Sequence, residues 1–179
     1  MNDPENASDV APRGSHQVFI SYATTDRKQA LSVCKEIENR GTTCWISTRD
    51  VAPGENYQEA IVHSIRNARA MVLVFSEAAN KSDEIKKELS LASRYHVPVI
   101  ALMIENVEPS DAFAYELSTR QWINAFEDWD TSIDSLVSRI EQLPDAGPVA
   151  TTAAKPALRR MSFSSRRPIA IAAAVLLLL

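Results

Sequence analysis

Six consecutive apolar residues, Ala70-Met71-Val72-Leu73-Val74-Phe75, sit near the middle of the chain. A strand with one wet face alternates apolar and polar positions, so an unbroken apolar run of this length belongs to a central strand covered on both faces. Strands of that kind lie in parallel sheets, where each crossover needs a helix or a comparably long connection. The rest of the chain supplies the alternation. Residues 17–22 form a short β-rich run. Residues 26–40 place Ala30, Leu31, Cys34 and Ile37 on one helical face and stop at Gly41, a good helix-ending residue. Residues 43–46 read as the second strand. Residues 57–67 read as a helix, with Ala60, Ile61, Ser64, Ile65 and Ala68 in register. A helix is predicted over 82–95, a further buried strand over 97–103 and a short fifth strand over 121–123. The last helix is predicted over 132–142, carrying Ile133, Leu136, Val137 and Ile140. The expectation is an α/β fold with a parallel sheet and helices on both faces.

Ligands of such folds bind beyond the carboxyl ends of the strands. The loops there are 22–26, 47–56, 76–82 and the region after Met103. Several familiar chemistries are excluded in them. The glycines are Gly14, Gly41, Gly54 and Gly147, so no dinucleotide fingerprint or phosphate loop follows the first strand. The end of that strand reads Ser21-Tyr22-Ala23, without the clustered carboxylates of a phosphoacceptor domain. No serine lies in a G-x-S-x-G elbow.

Charge is divided unevenly. Five of the 19 basic residues and none of the 23 acidic ones lie beyond Asp145, so the body carries about −9 and the tail about +5. An acidic body lacks the basic face of a nucleic-acid-binding domain, and no nucleic-acid partner is expected. Cys34 and Cys44 form no C-x-x-C motif and fall in apolar stretches, which reads as buried thiols in a reducing compartment rather than a disulfide or metal pair. His16, His63 and His96 lack metal-ligand spacing, so no metal is expected.

The ends read differently from the body. Residues 1–15 are polar, contain Pro4 and Pro12, and read as a disordered arm without the character of a signal peptide. Residues 144–167, rich in Pro, Ala, Thr and Ser, read as a basic flexible linker. Residues 168–179 contain no polar side chain. Twelve residues do not cross a bilayer, which needs about 20, so this run reads as the start of a membrane segment or, alternatively, as a short tail helix that inserts partway. The flanking arginines would hold that end, and the domain with it, on the cytoplasmic face.

Four sequence boxes, in order and correctly spaced, resemble the Toll/interleukin-1 receptor (TIR) family over residues 16–143. The first is Val18-Phe19-Ile20-Ser21-Tyr22 followed by Asp26. The second is Cys44-Trp45-Ile46 followed by Arg49-Asp50-Val51-Ala52-Pro53-Gly54, which is similar to a second strand and its "BB" loop. The third is Ser76, Ser82 and Glu88-Leu89, and the fourth is Gln121-Trp122. The resemblance, to a bacterial-type member, implies a flavodoxin-like sheet of five parallel strands in order 2-1-3-4-5. It also implies signalling by self-association with other TIR domains and, as in many members, cleavage of NAD+ as substrate with no cofactor. The alternative is a non-enzymatic adaptor acting through TIR–TIR contacts.

The resemblance places Arg49, Asp50, Val51, Pro53 and Gly54 in an interaction loop. Pro53 and Gly54 suit the second and third positions of a type II turn, since glycine accepts the positive φ there. Arg49 and Asp50 would then project at the ligand edge. It also implies that Glu88 is the catalytic glutamate, with Tyr22, Asp26, Asp50, Tyr57, Ser82 and Glu84 as substrate-side candidates. Ser82 also suits an N-cap, and Trp122 reads as core.

Helical periodicity adds an independent reason to single out Glu88. On the helix over 82–95, Ser93, Lys86, Ser90, Arg94 and Lys87 share the polar arc. Leu91, Tyr95, Ala92, Ile85 and Leu89 share the opposite one. Glu88 falls inside the apolar arc between Tyr95 and Ala92, and Glu84 between Leu91 and Tyr95. Two carboxylates four residues apart repel one another, and partial burial raises a carboxylate's pKa. On periodicity alone, both reaching solvent past the rim stays open. Where NAD+-cleaving members often carry Trp, this chain carries Glu84.

Overall fold

The computed structural model describes residues 18–118 and 120–143. Five strands, β1 (Val18–Tyr22), β2 (Cys44–Trp45), β3 (Ala70–Phe75), β4 (Val99–Met103) and β5 (Gln121–Asn124), form one parallel sheet in the order β2-β1-β3-β4-β5. This is the flavodoxin-like arrangement expected. The register aligns Ile20 with Val72 and Val72 with Ile100, so side chains on neighbouring strands share a face.

The pleat sorts the core into two layers. Val18, Ile20, Val72, Val74, Ile100 and Leu102 face α1 (Arg27–Asn39) and α7 (Trp129–Gln142). Phe19, Met71, Leu73, Phe75, Val99 and Ala101 face α3 (Tyr57–Arg66), α5 (Asp83–Arg94) and α6 (Asp111–Leu117). Every residue of β3 is buried, as its unbroken apolar run requires.

Two short helices, α2 (Ser47–Asp50) and α4 (Glu77–Asn80), occupy loops that the sequence left irregular, and α6 occupies the region after Met103. The last helix starts at Trp129, where the Asp128 side chain accepts the Thr131 amide, rather than at residue 132. Leu31, expected on the buried face of α1, is exposed, and Val33 takes that place. The disordered arm, basic linker and membrane segment expected at residues 1–15, 144–167 and 168–179 lie outside the described residues. Among the described residues no helix is long and apolar enough to cross a membrane.

Two helices end alike. After α1, the Gly41 amide donates to Glu38 O and the Thr42 amide to Ile37 O, with Gly41 at φ +89°. After α5, the same pair of bonds runs from His96 to Ser93 O and from Val97 to Ala92 O. His96, an exposed residue, there holds φ +57°. A side chain in the left-handed region costs about 1–2 kcal/mol, less what glycine loses in chain entropy. His96→Gly is therefore expected to stabilise the domain by about 0.5–1 kcal/mol, read as a higher midpoint in denaturant; an unchanged or lower midpoint would contradict this.

Candidate active site

The site starts with the pleat of β1. Val18 and Ile20 face α1, so Phe19 and Ser21 face α3 and α5. Ser21 is thereby a buried hydroxyl in an apolar layer and needs a partner. That partner comes from α5, which is capped by Ser82, whose side chain accepts the Ile85 amide at 3.3 Å. Ile85, Leu89 and Ala92 hold α5 on the sheet. Glu88 lies just off this stripe and reaches the carboxyl end of β1. There Ser21 Oγ donates to Glu88 Oε2 at 2.6 Å.

The environment of Glu88 favours its protonated form. Loss of water pushes its carboxyl up to about 7 from an ordinary 4.5; the Ser21 hydrogen bond opposes this, and the nearby Glu84 charge adds to it. Glu84 itself is exposed and pairs with Lys87 Nζ at 2.7 Å. The two carboxylates that periodicity placed together therefore part, and only Glu88 turns inward.

A cleft of about 380 Å³ opens over Glu88. Tyr22, Thr24 and Thr25 follow from β1, Ser47 and Thr48 come from α2, and Tyr57 and Ile61 from α3. Ser82, Glu84 and Ile85 complete it from α5. Of the candidates, Tyr22, Tyr57, Ser82, Glu84 and Glu88 thus meet in one place. The Tyr22 hydroxyl donates to Thr48 Oγ1 at 3.1 Å, and Tyr57 is half-exposed. The sequence points to the loops 22–26 and 47–56 but carries no signal for the individual hydroxyls of Thr24, Thr25, Ser47 and Thr48, which line the cleft. Together they give the rim donors and acceptors suited to a sugar or phosphate.

Asp26 and Asp50 stand outside this cleft. Asp26 is buried and accepts from Ser76 Oγ, tying the turn after β1 to the start of α4. Asp50 folds back to accept the Ile46 amide at 2.7 Å. Arg49 is clamped by both Glu38 oxygens at 2.9 and 3.0 Å, by Cys44 O at 2.7 Å and by Asp50. The expectation that Arg49 and Asp50 project at the ligand edge is corrected by these bonds: both fold back on β2 and neither lines the cleft. Val51 packs partly against the α3 and α5 side of the core. Pro53 and Gly54 remain exposed in the expected turn, with the Glu55 amide donating to Ala52 O at 3.0 Å and Gly54 at φ +85°. Trp122, expected in the core, is only partly buried and packs against its edge, edge-on to Phe75 with ring centroids 5.3 Å apart.

A family model described as TIR domain matches residues 18–137. The stimulator of interferon genes protein of Magallana gigas is 30% identical over 102 residues, which cover 54% of this chain and 25% of that protein. The chain therefore spans about a quarter of the length of this curated relative. A solved metazoan TIR-STING receptor from C. gigas, in complex with 2′,3′-cGAMP, matches with a TM-score of 0.60 at 26% identity, covering 73% of this chain and 41% of that one. The TIR domain of the Toll-related receptor TRR-2 from Hydra magnipapillata matches with a TM-score of 0.60 at 20% identity, covering 70% and 98%. That second likeness is one of fold. These relatives are animal proteins and lend no support to the bacterial type suggested by the sequence.

Proposed function

The chain belongs to the TIR domain family, and from that premise we propose that it is a signalling domain that cleaves NAD+ at the nicotinamide–ribose bond when its copies assemble. The observation that carries this reading is Glu88, a half-buried carboxylate hydrogen-bonded by Ser21 at the floor of a hydroxyl-rimmed cleft. Nicotinamide is already a cationic leaving group on its ribose. As the bond breaks, it departs as a neutral base with the bonding pair, and positive charge develops on the ribose. A carboxylate in a site shielded from water stabilises that charge strongly, much as in glycoside hydrolysis but with no general acid needed at the leaving group. Water, or a nucleophile within the same molecule, then attacks the sugar carbon, giving a linear or a cyclic product.

Tyr57 offers an exposed ring beside the cleft for stacking on a flat heterocycle. The threonine and serine hydroxyls of the rim suit ribose and phosphate oxygens. No resident cofactor is required, since NAD+ is the substrate. As part of the same proposal, Arg166 and Arg167 with the apolar run behind them would hold the domain at the cytoplasmic face of a membrane. The similarity to a metazoan TIR-STING receptor also supports a role in signalling.

The direct test is nicotinamide release measured from dilute protein and from protein concentrated or clustered on vesicles. Turnover per molecule is expected to rise steeply with density, because a neighbouring domain helps complete the site. Turnover per molecule that is independent of density would remove assembly from the proposal. One observation favours a second reading: Glu84 stands where NAD+-cleaving members often have Trp, and it pairs with Lys87 rather than offering a surface for nicotinamide. Absence of turnover by clustered wild type would select that reading, an adaptor acting through TIR–TIR contacts.

A further inference from the structure

On the other face of the sheet from Glu88, α1 and the edge strand β2 bring Cys34, Glu38 and Cys44 together. Cys34 and Glu38 are one helical turn apart and so lie on one side of α1. The turn at Gly41 returns the chain so that Cys44 comes alongside. The two sulfurs and a Glu38 oxygen all lie within 4.8 Å of one another. Both thiols are buried and free, while Glu38 and Arg49 occupy the solvent side.

We infer that Cys34, Cys44 and Glu38 form a binding site for a thiophilic divalent cation of the zinc class. A tetrahedral zinc ion with bonds of about 2.3 Å to sulfur and about 2.0 Å to oxygen holds neighbouring ligand atoms about 3.5–3.8 Å apart. The three ligand atoms, within 4.8 Å of one another, would draw together around the ion on binding. Two sulfurs select against magnesium and calcium, which take oxygen ligands.

The charge around the site fits as well. Two thiolates, one carboxylate and a divalent cation sum to −1, and the Arg49 guanidinium is already in place to balance it. Arg49 now holds both Glu38 oxygens and the Cys44 carbonyl. With one oxygen on the metal, the other stays with Arg49, the kind of outer partner that orients a ligating carboxylate. A fourth position remains for water. The ion would join α1 to β2 at the root of α2 and of the turn at Pro53. The two thiols are buried and free, as the sequence reads; the metal site goes beyond that expectation and does not depend on the chemistry proposed for Glu88.

The test uses the full chain, kept reduced, titrated with Co2+ and then with Zn2+. One Co2+ per chain is expected, with the near-ultraviolet sulfur-to-cobalt absorption of a thiolate site, lost on adding an equimolar amount of Zn2+. Cys44→Ser should abolish that absorption. Because a buried cysteine variant can fail to fold, Glu38→Gln at the exposed ligand is the second arm, expected to weaken binding at least about tenfold. No thiolate absorption from folded, reduced wild type would overturn the site. So would absorption that survives in folded Cys44→Ser, an affinity unchanged by Glu38→Gln, or loss of both thiols as a disulfide without metal uptake.

Discussion

Replacing Glu88 with alanine is expected to abolish nicotinamide release from NAD+ by the assembled protein, a loss of about 10²–10³-fold or more, while the domain stays folded. Glu88 is held at the carboxyl edge of β1, where this fold class binds ligands, and it lines the cleft with Tyr22, Tyr57 and Ser82. The packing of α5 rests on Ile85, Leu89 and Ala92, so removing the glutamate side chain leaves the contacts with the sheet intact. Glu88→Gln separates charge from shape. The amide keeps the size of the side chain and can still accept from Ser21, but it cannot balance a developing cation, so it should be almost as inactive as alanine. Glu84→Ala should be much milder, because Glu84 is exposed and tied to Lys87. The pH profile adds a constraint. With its carboxyl pushed up to about 7, Glu88 is half-protonated near neutrality, and wild-type turnover should climb as pH rises through that value. Full turnover in a folded Glu88→Ala protein would reject the mechanism.

How far the sequence reached can be judged from single elements. β3 was legible because its six apolar residues permit only a strand covered on both sides. The end of α1 was legible because Gly41 marks a left-handed turn, and the same logic read the loop at Gly54. The shorter helices were not. α6 shows only Phe113 and Leu117 as buried points, and two points do not define a period. α2 and α4 last a single turn each. Within the site, periodicity put Glu84 and Glu88 on the same apolar arc and could not separate them. What separates them is Ser21, 67 residues away in sequence, whose buried hydroxyl draws one carboxylate inward. The fate of Arg49 was hidden for a similar reason. Its exposure was readable from the loop, but its partners, Glu38 on α1 and the Cys44 carbonyl on β2, belong to tertiary structure.

The same carboxylate should make the protein less stable as pH rises, and Glu88→Gln should remove that loss. In the unfolded chain Glu88 ionises at its ordinary value of 4.5, whereas in the folded domain it holds its proton up to about 7. Between those values the folded state binds more protons than the unfolded one, so the stability that the proton confers drains away with increasing pH. It is fully present below about 4.5 and gone above about 7. The displacement corresponds to about 3 kcal/mol. Denaturant unfolding of wild type and Glu88→Gln at a series of pH values isolates this contribution, because every other titrating group is common to both proteins. Asp83 and Asp128, held below the usual carboxylate range by Lys86 and by Thr131, act in the opposite sense at low pH and cancel in the difference. The variant should match wild type near pH 4.5 and exceed it by up to about 3 kcal/mol at pH 8. Such a gain would mean that the domain keeps a destabilising group at its cleft, the exchange of stability for activity expected at a functional site. A difference that stays constant across the series would show that Glu88 is ordinarily solvated, and would remove the physical basis for singling it out. The measurement needs no substrate, so it judges the burial of the carboxylate whether or not turnover is ever seen.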